Sequence, residues 1–427
     1  MCKTFRYFFY SIFILLTFNS NVNAVPFGAF DPRSLAMGGA GVAAATSANA
    51  AYYNPALLAM FKTRKEIGRN SRLIFPTVTA SAADAVIDED NLDYENLEQD
   101  LTDSISAFNQ NMNSQTAQGV LDTATDLNNR LDRFVDGPIH ADVNSGLVLG
   151  VGHKQEGGSI IVNRRFVGTG AIENLSSDLA LLEDYVEAMQ FIETGGVAGE
   201  PHPELFNPAN GQLIDQTDNL ASVANGAALD VTEIGMAMAR QFRLFNLDVA
   251  IGITPKILHV TTYDLEVRAD TGAESETDEN EDWDVNLDLG FAHQINSQWR
   301  AGLVIKNLRS LTYTTSLGTD LKIKRQVRAG VAYDSSWGLY AADIDVIEND
   351  PVAYGSPTQM LSFGGEWLLK RWFQLRAGIN KNMKGIGNNS DPLFSGGFRW
   401  DFGGLLDITY ARGSAQEAIG LQLGYRF

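Results

Sequence analysis

The chain has 427 residues, 44% of them hydrophobic, with a formal net charge of −20 and one cysteine. The negative charge disfavours nucleic-acid binding, which needs clustered lysine and arginine. One cysteine excludes a disulfide scaffold. Two stretches carry nearly all of the charge imbalance: residues 82–140 have 13 acidic and 2 basic side chains, and residues 169–230 have 11 acidic and no basic ones. The rest of the chain is close to neutral, as a part embedded in a membrane must be.

The start of the chain has the pattern of a secretory signal peptide. Two basic residues precede an apolar run over residues 8–18, and small residues at 22–24 provide a cleavage site. The run is too short for a spanning helix, which needs about 20 apolar residues. We therefore predict a signal peptide over residues 1–24, export of the mature chain, and loss of Cys2 with the peptide.

A compact segment rich in small residues follows at residues 25–65. It contains Phe27-Gly-Ala-Phe30, the Gly- and Ala-rich run at residues 34–41, and the run at residues 51–61, which includes Asn54-Pro-Ala-Leu57. Its glycine and alanine content does not fit a strand pattern, so we expect this segment to fill a confined space before the first strand.

Residues 66–427 show strand periodicity. From about residue 142 onward, alternation of apolar and polar side chains recurs every 10 to 15 residues, and the last example, residues 419–427, ends on Phe427. Side chains of a strand alternate between faces, so each segment has one apolar face and one polar or small face. Including a first strand at residues 72–81, we predict about fourteen antiparallel strands.

Connections between these strands alternate between short and long. The short ones are residues 154–158, 241–245, 296–297, 334–337, 370–371 and 403–404; the long ones are 82–140, 169–230, 270–283, 309–320, 348–357 and 382–391. Such asymmetry is typical of an outer-membrane barrel. The predicted fold is therefore an all-β transmembrane barrel. The alternative is a soluble periplasmic barrel or sandwich, in which polar inward residues of both signs would occupy a core.

Both acidic inserts, residues 82–140 and 169–230, carry apolar residues at helical spacing. These stripes need an apolar surface to cover. They are predicted to pack on one another or on the barrel rim, and the alternative is a substrate-docking groove. The three stripes are Leu97, Leu101, Ile105, Phe108 and Met112; Val120, Ala124, Leu127, Leu131 and Phe134; and Leu175, Leu179, Leu182, Val186 and Met189.

No catalytic arrangement stands out, and we predict a protein that is not an enzyme and carries no cofactor. The five histidines are dispersed, without a metal-ligand pair at helical spacing, and there is no Gly-x-Ser-x-Gly motif. Gly39-Ala-Gly41 lacks the preceding strand and the third glycine of a dinucleotide fingerprint.

Residues 270–284 hold eight acidic side chains and no basic one. Clustered oxygens suit Ca²⁺ or Mg²⁺, and the candidate ligands are Asp278, Glu279, Glu281 and Asp282. The spacing fits no EF-hand, and a solvated acidic loop is the alternative.

Charged residues at inward strand positions allow two interpretations, an ion path or pairs that satisfy each other across the lumen and with the N-terminal segment. The set comprises Asp248, Asp288, Asp343, Asp345, Glu366, Arg300, Arg328, Arg376 and Arg399.

The segment at residues 27–61 resembles the N-terminal hatch of the FadL-like family of outer-membrane long-chain fatty acid transporters. Within that superfamily the chain is most similar to the branch called conjugal transfer protein TraF, on the Phe30-Asp-Pro-Arg opening, the Tyr53-Asn-Pro-Ala run and the two acidic inserts. It does not resemble the thioredoxin-like TraF, because it has no Cys-x-x-Cys and no βαβ pattern.

This resemblance implies a barrel plugged by residues 25–65, in which apolar ligands are captured at the outer face and leave through the wall. The implied ligand and gating residues of the hatch are Phe27, Phe30, Asn54, Pro55, Ala56, Leu57 and Phe61. The implied location is the bacterial outer membrane. The expected partners are its lipid and lipopolysaccharide, the barrel assembly machinery through Phe427, and a hydrophobic small molecule.

Two functions follow as hypotheses. The first is passive, gated uptake of hydrophobic small molecules such as fatty acids. The second is an envelope interaction or assembly protein linked to conjugal plasmid transfer, suggested by the TraF resemblance and by the size of the acidic inserts.

Overall fold

The computed structural model describes most of the chain after the predicted signal peptide. The described residues are 27–60, 71–83, 94–132, 134–135, 139–152, 155–244, 247–268, 274–276, 279–350, 352–384, 391–414 and 416–426. The predicted signal peptide, residues 1–24, lies outside them, as do residues 25–26 and 61–65 of the following segment, Asp278 and Phe427.

The alternating segments form antiparallel strands. In chain order they are β1 (Ser71–Ala83), β2 (Ile139–Val151), β3 (Glu156–Glu173), β4 (Val223–Leu244), β5 (Leu247–Arg268), β6 (Glu274–Glu276), β7 (Asn280–Gln294), β8 (Trp299–Lys306), β9 (Leu311–Thr314), β10 (Asp320–Ile323), β11 (Gln326–Asp334), β12 (Gly338–Asp345), β13 (Met360–Lys370), β14 (Phe373–Asn382), β15 (Leu393–Asp401), β16 (Leu405–Arg412) and β17 (Gln416–Arg426).

Fourteen of these strands form a closed barrel, to which β6, β9 and β10 do not belong. Each barrel strand pairs with the next one in sequence, and the ring closes where β1 pairs with β17, for example at Val78 and Leu421. Closure leaves no sheet edge unpaired, as a hydrocarbon environment requires. The prediction of a 14-stranded antiparallel barrel is confirmed, and the sandwich alternative is wrong because the sheet closes on itself.

Side chains alternate between an apolar outer surface and a lumen that is mostly polar or small. On β4, Ile234, Met236 and Met238 point outward and are 43–51% exposed, whereas Ala237 and Ala239 between and beside them are buried. The same alternation exposes Val162, Ile257, Phe363, Phe394, Ile408 and Ile419 on other strands. An apolar outer belt is what a barrel in lipid needs.

Short and long connections alternate as predicted. Short connections join β2 to β3, β4 to β5, β7 to β8, β11 to β12, β13 to β14, and β15 to β16, all at one end of the barrel. At the other end, β4 and β5 run for 22 residues each. That is about twice the 9 to 11 residues that cross a bilayer, so the barrel wall extends on the side of the long connections.

Helices occur before the first strand and in the two acidic inserts. They are α1 (Pro32–Ala36), α2 (Ala50–Tyr53), α3 (Tyr94–Gln110), α4 (Ser114–Asp132) and α5 (Leu175–Glu193), with 3₁₀ helices at Pro55–Ala59, Pro203–Leu205 and Thr217–Asn219. None of the helices in the described part of the chain combines the length and apolar character of a membrane-spanning helix.

Helices α3, α4 and α5, with residues 203–222, form a helical cap with its own apolar core. Leu101, Leu127 and Tyr185 are among its buried residues, and the Asp178 carboxylate accepts hydrogen bonds from the N–H groups of Ala221 (3.0 Å) and Ser222 (2.8 Å). The apolar stripes therefore pack on one another, as predicted. Met112 is the exception, since α3 ends at Gln110 and leaves Met112 43% exposed.

Candidate functional site: the lumenal segment and the wall that holds it

Residues 27–60, the lumenal segment, lie inside the barrel. Nearly all of them are buried, and they contact the wall on opposite sides. Asn144 Nδ2 on β2 donates to the Phe30 carbonyl (3.0 Å), and Thr409 Oγ1 on β16 donates to the Pro32 carbonyl (2.7 Å). On β12, the Asp343 carboxylate accepts from the N–H groups of Gly41 (2.7 Å) and Val42 (2.9 Å). The segment therefore spans the cross-section of the lumen.

Asn54 ties this segment both to itself and to the wall. Its extended backbone (φ −161°, ψ 102°) ends α2, and its Oδ1 accepts from the Ala56 N–H (3.1 Å), which starts the 3₁₀ helix Pro55–Ala59. Its Nδ2 donates to the carbonyls of Val42 (3.0 Å) and Phe291 (3.0 Å). Asn54 is fully buried, so water cannot reach its amide group. Loss of any of these hydrogen bonds would leave a buried polar atom without a partner.

Two wall glycines form the seat of the Asn54-Pro55-Ala56 element. Gly252 on β5 and Gly290 on β7 are paired in register. A Cβ atom on Gly252 would lie 2.4 Å from the Ala56 nitrogen, and one on Gly290 would lie 2.2 Å from Asn54 Oδ1. Only glycine permits so close an approach between two backbones. Similar close contacts to Met37 occur at Gly364 and Gly378.

A charge network fixes α1 to the wall. Arg33 Nε lies 2.9 Å from Glu366 Oε2, and the same carboxylate accepts from Arg376 Nε at 2.7 Å. Arg376 also reaches Asp407, which accepts from Arg399 Nε and Nη2 at 2.9 Å each. Three guanidinium groups thus share two carboxylates, in a chain of contacts that spans more than 370 residues of sequence.

The rings of Phe27, Phe30 and Tyr52 in the lumenal segment form an aromatic cluster that cationic side chains contact. The Phe30 ring stacks on Tyr52 at 5.6 Å. Lys306 Nζ lies 4.1 Å from the centre of the Phe30 ring, and Arg328 Cζ lies 4.0 Å from the centre of the Phe27 ring. Such contacts hold cations against desolvated aromatic faces. Strand alternation places Lys306 on the polar face of its strand, but the sequence gives no signal of its aromatic partner.

Beside Phe30 lies a cavity of about 30 Å³. Arg165, Glu233 and Lys306 line it together with apolar wall residues. Glu233 accepts from Lys256 Nζ at 2.9 Å, and Arg165 Nε donates to Asp142 Oδ1 at 3.0 Å. The cavity is therefore large enough for one or two waters and has charged side chains along one side.

The lumen brings most of the predicted hatch residues together. Phe27, Phe30, Asn54, Pro55, Ala56 and Leu57 are all buried in the lumenal segment, and Phe61 lies outside the described residues. Their role in ligand passage stays a prediction.

The inward charges pair with one another or bind the lumenal segment, apart from Asp248. Arg328 pairs with Asp345, and Lys256 with Asp288 at 3.2 Å. Arg300 Nε donates to the Ala43 carbonyl at 2.6 Å. Asp248 is exposed instead and lies 3.4 Å from Arg243. These contacts favour the pairing interpretation over an ion path.

Three of the four acidic residues considered for a cation are described, and these three do not lie together in a loop. Glu281 and Asp282 are exposed neighbours on β7 and so point to opposite faces, and Glu279 directly precedes the strand. Among described residues, another group has metal-ligand spacing, comprising Asp184, His202 and Glu204 in the cap. Hydrogen bonds to Glu187 and Glu204 raise the pKa of His202. The His202 imidazole is thus already hydrogen-bonded to two carboxylates of the cap.

The fold matches solved structures of outer-membrane-type barrels at low sequence identity. The structure titled "CymD monoaromatic hydrocarbon channel" is 12% identical, with 95% of this chain and 99% of that chain covered and a TM-score of 0.50. A Pseudomonas aeruginosa FadL homologue is 10% identical, with 96% and 100% covered and a TM-score of 0.52. No curated protein matches the chain in sequence.

The closed 14-stranded barrel with its occupied lumen has the fold of these two solved structures. In sequence, residues 51–345 match the family model described as "F plasmid transfer operon, TraF, protein". The match covers more than half of the chain, and the chain belongs to this TraF family.

Proposed function

We propose that this protein is an outer-membrane channel for the passive, gated uptake of hydrophobic small molecules such as fatty acids, with residues 25–65 as its hatch. The observation that carries the proposal is the buried Asn54-Pro55-Ala56 element, seated on Gly252 and Gly290 across a closed barrel. The structure titled as a hydrocarbon channel has the same fold, which supports this class of ligand.

The physical basis of uptake is the transfer of apolar surface out of water. A ligand gains about 0.8 kcal/mol for each CH₂ group that it buries. We call the barrel end with the long connections the outer mouth, and the barrel wall separates it from the membrane. Because the lumenal segment spans the lumen, a ligand passes only if part of that segment moves.

On this proposal, outer-membrane lipid and lipopolysaccharide surround the apolar belt, and Phe427 contacts the assembly machinery.

Replacement of Asn54 and Pro55 by alanine is expected to weaken ligand binding by at least tenfold, because the hatch loses its hydrogen bonds to Val42, Ala56 and Phe291. The measurement is native mass spectrometry of the detergent-folded chain, first for co-purified lipid and then in titrations with palmitate and hexadecanol. A matched control is Asn210→Ala, which changes an exposed asparagine of the helical cap. Unchanged binding by the double variant would exclude the assigned role of the hatch.

A second candidate function is assembly of the cell envelope during plasmid transfer. It is favoured by the family match and by the helical cap, which has its own apolar core and an acidic surface. Replacing residues 84–138 and 174–222 with short loops separates the two functions. Loss of mating with intact ligand uptake favours assembly, and loss of uptake with intact mating favours transport.

A further inference from the structure

Strands β9 and β10 form an amphipathic hairpin at the outer mouth. Leu311 pairs with Ile323, and Tyr313 pairs with Leu321. These four side chains point to one face and are 0–5% exposed, while Thr312 and other residues of the opposite face remain exposed. The hairpin forms a separate two-stranded sheet and takes no part in the hydrogen-bond ladder of the barrel.

The buried face of the hairpin covers an apolar part of the lumen wall. This apolar surface is formed by inward side chains of three adjacent strands, β3, β4 and β5. Its members are Val167, Leu229, Val231, Leu258 and Val260, and all are at most 8% exposed beneath the hairpin.

Hydrogen bonds also join the hairpin to the wall, and the flanking residues Arg309 and Lys324 pair with Asp284 (3.0 Å) and Asp350. The Leu317 N–H donates to Asp264 Oδ2 (2.9 Å), Tyr313 OH donates to Asp284 Oδ2 (3.3 Å), and Asn280 Nδ2 donates to the Thr314 carbonyl (3.1 Å). An isolated two-stranded hairpin is marginally stable in water. The folded conformation of the hairpin at the outer mouth therefore depends on the apolar contact between the hairpin and the wall.

The apolar surface continues down to the lumenal segment. Val167, Val231 and the hairpin residue Ile323 also line the cavity beside Phe30. The Asn163 side chain, which lines the same cavity, is 1% exposed and neither of its amide atoms has a hydrogen-bond partner. A molecule lying on the apolar surface with one hydrogen-bonding end would place that end beside a buried, unsatisfied amide.

We propose that the hairpin Leu311–Ile323 is a lid, and that the surface beneath it is the outer binding site for an apolar molecule with a single hydrogen-bonding end. This inference rests on the proposed uptake function and assigns its outer gate. A bound ligand replaces the hairpin on the apolar surface, so ligand binding and opening of the hairpin are coupled. Asn307, at the base of the hairpin, has φ 53°, a left-handed conformation that asparagine tolerates better than most residues.

The first test measures access to the covered wall. Leu258→Cys is introduced into a chain with Cys2→Ser, so that it supplies the sole thiol, and its alkylation by N-ethylmaleimide is timed. Leu321→Asn with Ile323→Asn is expected to speed alkylation at least tenfold, and saturating palmitate or hexadecanol is expected to slow it again. Thr312→Asn with Lys322→Asn, on the other face of the same two strands, is expected to leave the rate unchanged. An unchanged rate in the Leu321 and Ile323 variant would overturn the lid.

The second test leaves the apolar contacts intact. Asn280→Cys and Thr314→Cys, bridged by a reducible bis-methanethiosulfonate reagent, should lower hexadecanol uptake into proteoliposomes at least tenfold, with recovery on reduction. Each single variant treated with the same reagent is expected to keep its uptake. Full uptake by the bridged chain would refute the lid while the uptake function stands. If no chain takes up hexadecanol, the proposed function fails, and the alkylation rates alone decide whether the hairpin opens.

Discussion

Replacing Asp407 with asparagine is expected to lower the free energy of unfolding by about 3–5 kcal/mol, the usual loss when one partner of a buried ion pair is removed. Asp407 is fully buried on β16 and accepts hydrogen bonds from Arg376, Arg399 and Gln422. The substitution leaves Arg376 and Arg399 with Glu366 as the remaining carboxylate of the network. An asparagine would also turn donor hydrogens toward guanidinium groups that only donate.

The measurement is urea-induced unfolding of the barrel in phospholipid vesicles, followed by tryptophan fluorescence. A matched control is Asp248→Asn, since Asp248 and Arg243 form an exposed pair. Exposed pairs contribute at most about 1 kcal/mol. Equal losses for the two variants would mean that the network does not stabilise the barrel more than a surface pair does.

The largest effect on the lumenal segment is expected from Gly252→Val. Its Cβ atom would lie 2.4 Å from both the Ala56 nitrogen and the Pro55 carbonyl carbon. These are backbone atoms, so no side-chain rotation relieves the collision. β5 is also paired on both sides, with Gly252 opposite Ala239 and Gly290. The strand therefore stays in place and the Pro55–Ala59 helix must move.

Displacement of that helix breaks the hydrogen bond from Asn54 to Phe291 and opens a path beside the lumenal segment. Single-channel ion conductance across planar bilayers is expected to rise at least tenfold, and amide hydrogen exchange at residues 54–59 to become faster. Gly158→Val on β3 is the matched control, because the nearest atom to its Cβ position is 3.7 Å away. Conductance and exchange as in the unmodified protein would show that the seat at Gly252 does not hold the segment.

Periodicity was sufficient to predict the barrel, because the two-residue repeat determines which face of a strand a side chain lies on. It also distinguished the helical inserts, whose apolar stripes at Leu101 and Leu127 share one core. The Asn54-Pro55-Ala56 element was identified through its resemblance to a known hatch. The element is buried against the wall at Gly252 and Gly290, and its role as a hatch stays a proposal.

Other features depend on neighbours that the sequence does not specify. Arg33 meets Glu366 across 333 positions, and alternation gives the face of each residue but not its partner. Gly252 appears in the sequence as a weak strand residue, and its importance follows only from the backbone that approaches it. Residues 309–320 were predicted only as a long connection, and the two strands that begin there at Leu311 and Asp320 were missed because each has only four residues.

Flux through reconstituted vesicles distinguishes a selective channel for apolar molecules from an open pore. Proteoliposomes holding the mature chain are assayed in parallel for uptake of radiolabelled hexadecanol and for release of trapped potassium ions. We expect saturable hexadecanol uptake without potassium release, since the lumenal segment spans the lumen while an apolar ligand passes the lid and the hatch. Potassium release without saturable uptake would contradict it and indicate an open pore. The absence of both would favour the envelope assembly function.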